Sequence, residues 1–420
     1  MDTSKVLSAL ASSDEVRELA KRIRNGKVKQ MRADGLCGSS AALLLAAIAS
    51  GKGNYPNMLV VMNDMDDAGY MYHDLIQMMG DERVLFFPSS YKRAIKYNQK
   101  DAGNEILRTK TLSLTLPHHE EGDHPDREGF LIVTYPDALA EQVISKQDLD
   151  ERTLAVKVGD EFDISQLEEK IFELGFQRVD YVYEPGQFAV RGSIVDVYSY
   201  SSDMPYRIDF FGDEVDSIRS FDVQNQLSQG KVEMMTIVSP PTPEGEELTQ
   251  RVSSSANDKD IECPPPLGAG GLISFLEFLP KDTLIVTQSL IYICDKIAQI
   301  HEEGFSNQAK TEADMNAEAL ATQFIIDEET FKKQIVEFRH LELKQGSTTD
   351  EKSIHFHIEP QPLFHKNFDL VSQEFHRLMD DGYKICIFSD SEKQIARLQN
   401  IFEEQSKMEA ELLIQFHYLV

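Results

Sequence analysis

The stretch ADGLCGSSAALLLAAI, which begins at Ala33, has the layout of a phosphate-binding loop that opens a helix. In a working loop of the form G-x-x-x-x-G-K-[ST], backbone N–H groups cradle the phosphates, the lysine neutralises their charge and the hydroxyl residue holds magnesium. Aligned on Gly35 and Gly38, this loop has other residues where glycine, lysine and Ser/Thr are required, namely Ser40, Ala41 and Ala42. The helix N-terminus still attracts an anion, but the charge and the metal ligand for hydrolysis are missing. A coincidental turn explains the pattern as well as a decayed nucleotide site does.

Metal and thiol chemistry are only weakly indicated. Strand alternation would place His355 and His357 on one face, where His365 could join them, but no cysteine or acid lies at ligand spacing. We therefore expect an exposed strand and no metal. No nucleophile, base and acid can be matched by spacing, so no catalytic residue is assigned.

The cysteines are far apart and form no C-x-x-C pair, which favours free thiols in a reducing compartment. They are Cys37, Cys263, Cys294 and Cys386.

The composition limits the partners of the chain. Its 71 acidic and 42 basic residues give a net charge of −29, and no run of four basic residues occurs, so binding to nucleic acid is disfavoured. Neither a signal peptide nor an apolar run of about 18 residues is present, which indicates a cytoplasmic protein without a membrane partner. The apolar end, LLIQFHYLV, suggests a piece of a longer protein.

The 420 residues predict roughly three units, since domains average about 150 residues. Short apolar runs alternate with amphipathic stretches in the first unit, which is typical of an α/β domain with a parallel sheet. Two β-rich runs then indicate an inserted antiparallel α+β domain, after which the α/β pattern resumes and a small α/β module ends the chain. The predicted ranges are 1–150, 151–235, 236–345 and 346–420.

Local signals define the inserted domain most clearly. Asp163 and Gln166 form a possible capping box, and Gly175 stands where the helix that follows them should stop. Gly212 and Asp213 then interrupt the second β-rich run in the manner of a two-residue hairpin turn. We therefore expect one helix packed on an antiparallel sheet.

The second β-rich region, YVYEPGQFAVRGSIVDVYSYSSDMPYRIDFFGDEVDSIRSFD, resembles the repair protein UvrB and, more closely, the UvrB-homologous N-terminal region of bacterial transcription-repair coupling factors. The resemblance is carried by Phe188, Val190, Arg191 and Gly192 and by the run from Ile208 to Glu214. It implies a degenerate helicase-like, P-loop-type domain that is split by a UvrA-binding-like domain.

A second departure from an active nucleotide site follows from the same resemblance. The segment FLEFLPKDTLIVTQSLIYI resembles the part of the family that carries an Asp-Glu pair for metal and water, but Gln288 and Ser289 stand at those positions. Two parts of one ATP site are thus missing, which favours a decayed site over a coincidental turn. No ATP or magnesium is expected in this segment.

The repair helicase of this family has an aromatic-rich hairpin that inserts into DNA. At the corresponding place this chain has only two aromatic rings, Tyr91 and Tyr97, so insertion into DNA is not expected.

The resemblance also names a partner, UvrA. Matching residue by residue, the implied contacts are Arg178, Arg191, Asp209 and Phe210, while Ala189 replaces a further family arginine. The residues alone leave other readings open, because Arg191 can pair with a neighbouring acid and Phe210 can lie in the core.

We therefore expect a non-catalytic adaptor segment that recruits UvrA to stalled RNA polymerase for nucleotide excision repair. RNA polymerase and DNA would be bound, and ATP used, only by C-terminal domains absent from this chain, and the UvrA face would be covered by intramolecular contacts until needed. The alternatives are an active UvrB-like helicase or NTPase, and an intramolecular structural brake on the translocase.

Overall fold

The computed structural model describes most of the chain, in the ranges 3–50, 55–90, 102–115, 129–239, 271–311, 325–346, 353–365, 367–383, 385–389, 391–406 and 415–418. Tyr91, Tyr97 and Cys263 lie outside these ranges, and so do the predictions that rest on them. Of the remaining thiols, Cys37 is partly exposed and Cys294 is buried, and both are free. Burial raises the pKa of the Cys294 thiol.

The helices and strands alternate through much of the chain. The helices are α1 Thr3–Ala11, α2 Asp14–Asn25, α3 Ser40–Ala49, α4 Met65–Met79, α5 Ala102–Thr115, α6 Pro136–Ala140, α7 Lys146–Glu151, α8 Ile164–Glu173, α9 Phe275–Phe278, α10 Leu290–Thr311, α11 Glu328–Ile335, α12 Phe368–Asp380 and α13 Glu392–Ser406. The strands are β1 Gln30–Leu36, β2 Met58–Val61, β3 Val84–Phe86, β4 Leu131–Thr134, β5 Val143–Ile144, β6 Thr153–Lys157, β7 Gln177–Arg178, β8 Gln187–Arg191, β9 Ile194–Val197, β10 Tyr206–Phe211, β11 Glu214–Phe221, β12 Ser228–Val232, β13 Met234–Val238, β14 Leu272–Ile273, β15 Leu284–Thr287, β16 Arg339–Gln345, β17 Ile354–His355, β18 Cys386–Ser389 and β19 Gln415–Tyr418.

A parallel sheet organises the first and third parts of the chain. In the described residues it has the order β17-β1-β16-β15-β2-β4-β3. Strands β2, β4 and β15 read MLVV, LIVT and LIVT and are buried along their whole length. Continuous apolar strands of this kind are typical of a sheet that helices cover on both faces. The predicted α/β domain, split by an insertion, is confirmed.

The order of the strands opens a crevice between β2 and β15. After β2 the chain moves towards β3, whereas after β15 it moves to β16 on the opposite side. The two connections therefore diverge, and the carboxyl ends of β2 and β15 mark a topological switch point, where open α/β sheets bind their ligands.

The edge strand β17 differs from the prediction. The boundary at residue 346 would place it in the C-terminal module, but it pairs in parallel with β1, through Ala33 with Ile354 and Asp34 with His355. Its pattern of alternating apolar residues shows that it is a strand, yet no local signal shows which sheet it joins. Without β17, the module contains a different pair of parallel strands, β18 and β19, with α13 between them in the chain. The other boundaries remain predictions.

The inserted domain is a helix on a curved sheet. Its strands have the order β12-β11-β10-β9-β8-β7, antiparallel except for the parallel pair of β7 and β8. Asp163 caps α8 by accepting a hydrogen bond from the Ser165 N–H, and Gly175 adopts a φ of 86° just after the helix. Gly212, at φ 67°, lies in the β10–β11 turn as predicted. This domain is joined to the large sheet through the antiparallel pair β6 and β13.

The core of the inserted domain lies between α8 and one face of its sheet. Leu167 and Ile171 from the helix pack with strand residues such as Phe188, Val195 and Ile208.

No helix in the described part of the chain is long and apolar enough to span a bilayer.

Two substitutions on α8 test this packing. Leu167→Ala removes a fully buried side chain and should lower the free energy of unfolding of the inserted domain by about 2–5 kcal/mol. Phe172→Ala, on the same helix but 66% exposed, should change it by less than about 1 kcal/mol. Urea unfolding followed by circular dichroism measures both. Equal shifts of the midpoint would contradict the assigned face of α8.

Candidate functional site

The loop between β1 and α3 is held by the chain itself. Gly35 and Gly38 adopt φ values of 77° and 53°, as the turn requires. The Gly35 N–H donates to the Gly346 carbonyl at 2.7 Å, and the Cys37 N–H donates to Ser40 Oγ at 2.8 Å. Two backbone donors that a phosphate loop would direct at its ligand are therefore used internally.

Strand β17 approaches this loop closely. A Cβ atom on Gly35 would lie 1.9 Å from the carbonyl oxygen of Phe356, so only glycine allows the two segments to pass. The two alanines that follow serve packing, since Ala42 is buried and Ala41 packs partly buried against the same core. The loop residues thus hold a strand, a turn and a helix together.

Beside the loop, a buried carboxylate holds the histidine pair predicted from sequence. Asp34 is fully buried, and its Oδ1 lies 2.5 Å from Nδ1 of His355. The rings of His355 and His357 meet edge to face, with centroids 4.5 Å apart, so the alternation argument placed them correctly on one side. In the described ranges, no three His, Cys, Asp or Glu side chains are grouped in a way that could hold a metal ion. The Asp34–His355 contact instead fixes β17 to β1.

Gln288 and Ser289 lie in the crevice at the carboxyl edge of the large sheet. Together with Asn63, Tyr292 and residues 342–345 they line a volume of about 450 Å³. The Asn63 side-chain amide donates to Gln288 Oε1 at 2.9 Å, and Ser289 Oγ accepts from the Tyr292 N–H at 3.3 Å. A neutral amide and a hydroxyl are poor substitutes for the carboxylates by which proteins bind magnesium. The β1–α3 loop and the pair Gln288 and Ser289 both follow parallel strands at this edge of the sheet.

The second candidate site is the outer face of the inserted sheet, which we define as the side opposite α8. Strand register and alternation place Arg191, Asp196, Arg207, Asp209 and Arg219 there. Lys231 and Glu214 lie on the same side, opposite Arg219 and Phe211 in the strand register. The face thus carries both cations and anions, and the arginines form ion pairs within it.

Asp196 organises the charges on the outer face. Its side chain is fully buried and accepts hydrogen bonds from Arg191 Nη2 and from Arg207, whose Nε and Nη2 lie 2.8 and 2.9 Å away. The hydrogen bonds that Arg207 donates to Asp196 raise the pKa of its guanidinium above its usual value. A buried carboxylate is stable only with such partners, so both guanidinium groups are fixed in place.

Arg191 makes the ion pair that the sequence left open and is also partly exposed. It pairs with Asp196, yet 33% of its side chain stays exposed. Its Nη1 also donates to the Asp180 carbonyl at 2.9 Å, and its guanidinium lies over the Tyr181 ring, 5.1 Å from the centroid. Arg191 is therefore an ordered surface cation.

The other predicted contacts differ in accessibility. Arg178 pairs with Glu168 of α8 and remains more than half exposed. Asp209 accepts from Arg219 Nη2 at 2.8 Å, and both side chains are about one-third exposed. Ala189, which replaces a family arginine, is buried with Val182 and Phe221.

Phe210 is not available as a contact. It is 5% exposed and packs in the core of the inserted domain, whereas its neighbour Phe211 is 82% exposed. Side chains alternate along a strand, so Asp209 and Phe211 share the outer face while Phe210 points inward. The prediction that paired Asp209 with Phe210 on one face is wrong for this reason, and applying the same alternation to RIDFF would have identified Phe211.

Two exposed tyrosines on this face were not identified from the sequence. Tyr181 and Tyr183 lie in the segment between β7 and β8, and each exposes more than half of its surface. No local pattern indicates their position, because this segment is placed on the outer face by long-range contacts. Gln226, for example, donates from Nε2 to the Val182 carbonyl at 3.2 Å.

Comparison with known proteins assigns the inserted domain. Residues 154–241 match the model of the UvrB interaction domain family. The chain is 29% identical over 220 residues to the transcription-repair-coupling factor of Bacillus subtilis, which covers 52% of this chain and 18% of that protein. It is 28% identical over 204 residues to the Escherichia coli factor, covering 48% and 17%. Identity to the Staphylococcus haemolyticus factor is 21% over 387 residues, covering 83% and 32%. The chain spans less than a third of the length of these relatives, and the resemblance recognised from sequence is confirmed.

A pair of glycine substitutions tests the packing of the nucleotide-like loop. Both Gly35→Ala and Gly38→Ala place a Cβ on left-handed backbone, which costs about 1–2 kcal/mol. Only Gly35→Ala also collides with Phe356, because nothing lies within 4 Å of a Cβ at Gly38. Gly35→Ala should therefore lower the melting temperature more and speed amide exchange in β17. Equal effects of the two variants would contradict the close approach.

Proposed function

Since the chain resembles the N-terminal region of transcription-repair coupling factors and contains a UvrB interaction domain, we propose that it is a non-catalytic adaptor which recruits UvrA. The outer face of the inserted sheet is the binding surface. The observation that carries the proposal is the group of exposed or partly exposed side chains on this face, Tyr181, Arg191, Asp209 and Phe211.

The composition of this face is that of an interface. Aromatic residues and arginine are enriched in binding surfaces and concentrate much of their energy. Phe211 exposes a large apolar surface at the β10–β11 turn, and Arg191 supplies a charge that the fold already holds in place. The partner surface should therefore combine an apolar recess for Phe211 with an acidic group for Arg191. Arg178 lies at the β7 edge of the sheet and is turned towards Glu168 of α8.

The carboxyl edge of the large sheet supports the non-catalytic part of the proposal. Ala41 provides no charge, Ala42 provides no hydroxyl, and Gln288 and Ser289 provide no carboxylate. We assign ATP use, magnesium binding and the contacts with DNA and RNA polymerase to parts of the full protein outside this segment. Those parts also cover the outer face until UvrA is needed.

An ATPase measurement tests the absence of catalysis. The isolated chain should neither bind ATP tightly nor hydrolyse it, and Ala41→Lys should not restore activity, because the acidic pair is still missing. Phosphate release with and without magnesium measures turnover. Magnesium-dependent hydrolysis that stays with the chain through further purification would support the active-helicase alternative instead.

Binding to UvrA tests the adaptor surface. Phe211→Ala should weaken binding by about 2 kcal/mol or more, a roughly 30-fold rise in Kd, if the ring is a central contact. Arg178→Ala should act in the same direction and to a smaller extent, because Arg178 lies at the edge of the sheet and its guanidinium is turned towards Glu168 of α8, away from the outer face. Isothermal titration calorimetry gives the Kd of each variant.

The matched control for Phe211 is Phe172, which is also exposed but lies on α8, on the opposite side of the domain. Phe172→Ala should bind UvrA like the wild type. A wild-type chain that does not bind UvrA would refute the adaptor role and favour the structural brake. Equal losses at Phe172 and Phe211 would refute the choice of face.

A further inference from the structure

We propose that Tyr181 is a positioning residue for partner binding, which holds the guanidinium of Arg191 in the orientation that meets UvrA. The inference rests on the proposed function and adds a residue that sequence comparison did not indicate. It follows from the geometry around Arg191 and from the way the segment carrying Tyr181 is anchored.

The guanidinium of Arg191 is held from three directions. Its Nη2 donates to the buried Asp196 carboxylate and its Nη1 to the Asp180 carbonyl at 2.9 Å. The Tyr181 ring covers a face of the group, with Cζ 5.1 Å from the ring centroid. One-third of the side chain remains open to solvent. The remaining edge of the guanidinium is thus presented outward in a fixed plane.

Tyr181 can act as a support because its segment is anchored on both sides. The Val179 N–H donates to the Phe188 carbonyl at 2.9 Å, and Val182 is fully buried. Gln187 Oε1 accepts from the N–H groups of Tyr183 and Glu184, at 2.9 and 3.1 Å. The backbone around Tyr181 is therefore fixed while its ring stays 53% exposed.

Fixing Arg191 matters because an arginine binds a carboxylate best when its planar fork is already oriented. A side chain that is ordered before binding loses less rotamer freedom on binding. Asp196 and the Asp180 carbonyl each fix one nitrogen, and the ring prevents the plane from turning about those contacts. Removing the ring should weaken partner binding roughly 2- to 12-fold, the cost of immobilising one such side chain.

Tyr183 provides a matched control. It lies two residues away in the same segment and is exposed to the same degree, at 55%. The Arg191 guanidinium lies over the ring of Tyr181. A role as a direct contact is open to both tyrosines, but a role that acts through Arg191 belongs to Tyr181.

A double-mutant cycle with UvrA separates these roles. Kd is measured by calorimetry for Tyr181→Ala and Tyr183→Ala, each in the wild-type and in the Arg191→Lys background; lysine keeps the charge but lacks the fork. Tyr181→Ala should weaken binding in the wild type and change it little in the Arg191→Lys background. Tyr183→Ala should have the same effect in both. Tyr181→Phe, which keeps the ring, should bind like the wild type.

A measurement without the partner completes the test. In ¹⁵N relaxation experiments on the chain, the Arg191 Nε–Hε group should become more mobile in Tyr181→Ala and stay unchanged in Tyr183→Ala. Tyr181→Leu replaces the alanine variant if that variant does not fold. Equal losses of binding in both backgrounds, or unchanged mobility of Arg191, would overturn the role of Tyr181. Failure of the wild-type chain to bind UvrA would overturn the proposed function itself.

Discussion

The buried carboxylate of Asp196 is the constraint on which the outer face of the inserted sheet depends. A carboxylate without solvent contact is very unfavourable unless cations and hydrogen bonds compensate it. Here Arg191 on β8 and Arg207 on β10 flank Asp196 on β9, and Arg207 also lies over the Phe221 ring at 4.7 Å. These ion pairs link both β8 and β10 to β9, the strand between them.

At the carboxyl edge of the large sheet, by contrast, the residues of the β1–α3 loop make packing contacts. Gly35 allows the close approach of the Phe356 carbonyl, and Asp34 binds His355. The loop residues therefore position β17 against β1.

The sequence predicted those features that depend on neighbouring residues. Asp163 and Gly175 marked the ends of α8, and Gly212 marked the β10–β11 turn, because caps and positive φ values are local requirements. The mixed fold class followed from strand and helix alternation. The partner of β17 could not be predicted, since its contact with Asp34 joins residues 321 positions apart.

Only part of the outer face of the inserted sheet was predicted, because some of its contacts also join distant segments of the chain. Arg191 was identified through a resemblance, and its pairing with the neighbouring Asp196 was open to sequence reasoning. Its contact with Tyr181 depends on how the β7–β8 segment crosses the sheet. The inward direction of Phe210 could have been derived from strand alternation, which the comparison with relatives obscured. Burial therefore corrects a residue assignment that sequence similarity alone would have kept.

Hydrogen–deuterium exchange on the chain, with UvrA and separately with magnesium and ATP, tests the account most directly. UvrA should slow exchange in the segment 179–184 and at the β10–β11 turn, and ATP should change nothing at residues 35–42 or 288–289. Protection of the nucleotide-like loop by ATP, or protection by UvrA confined to regions outside the inserted domain, would contradict the account.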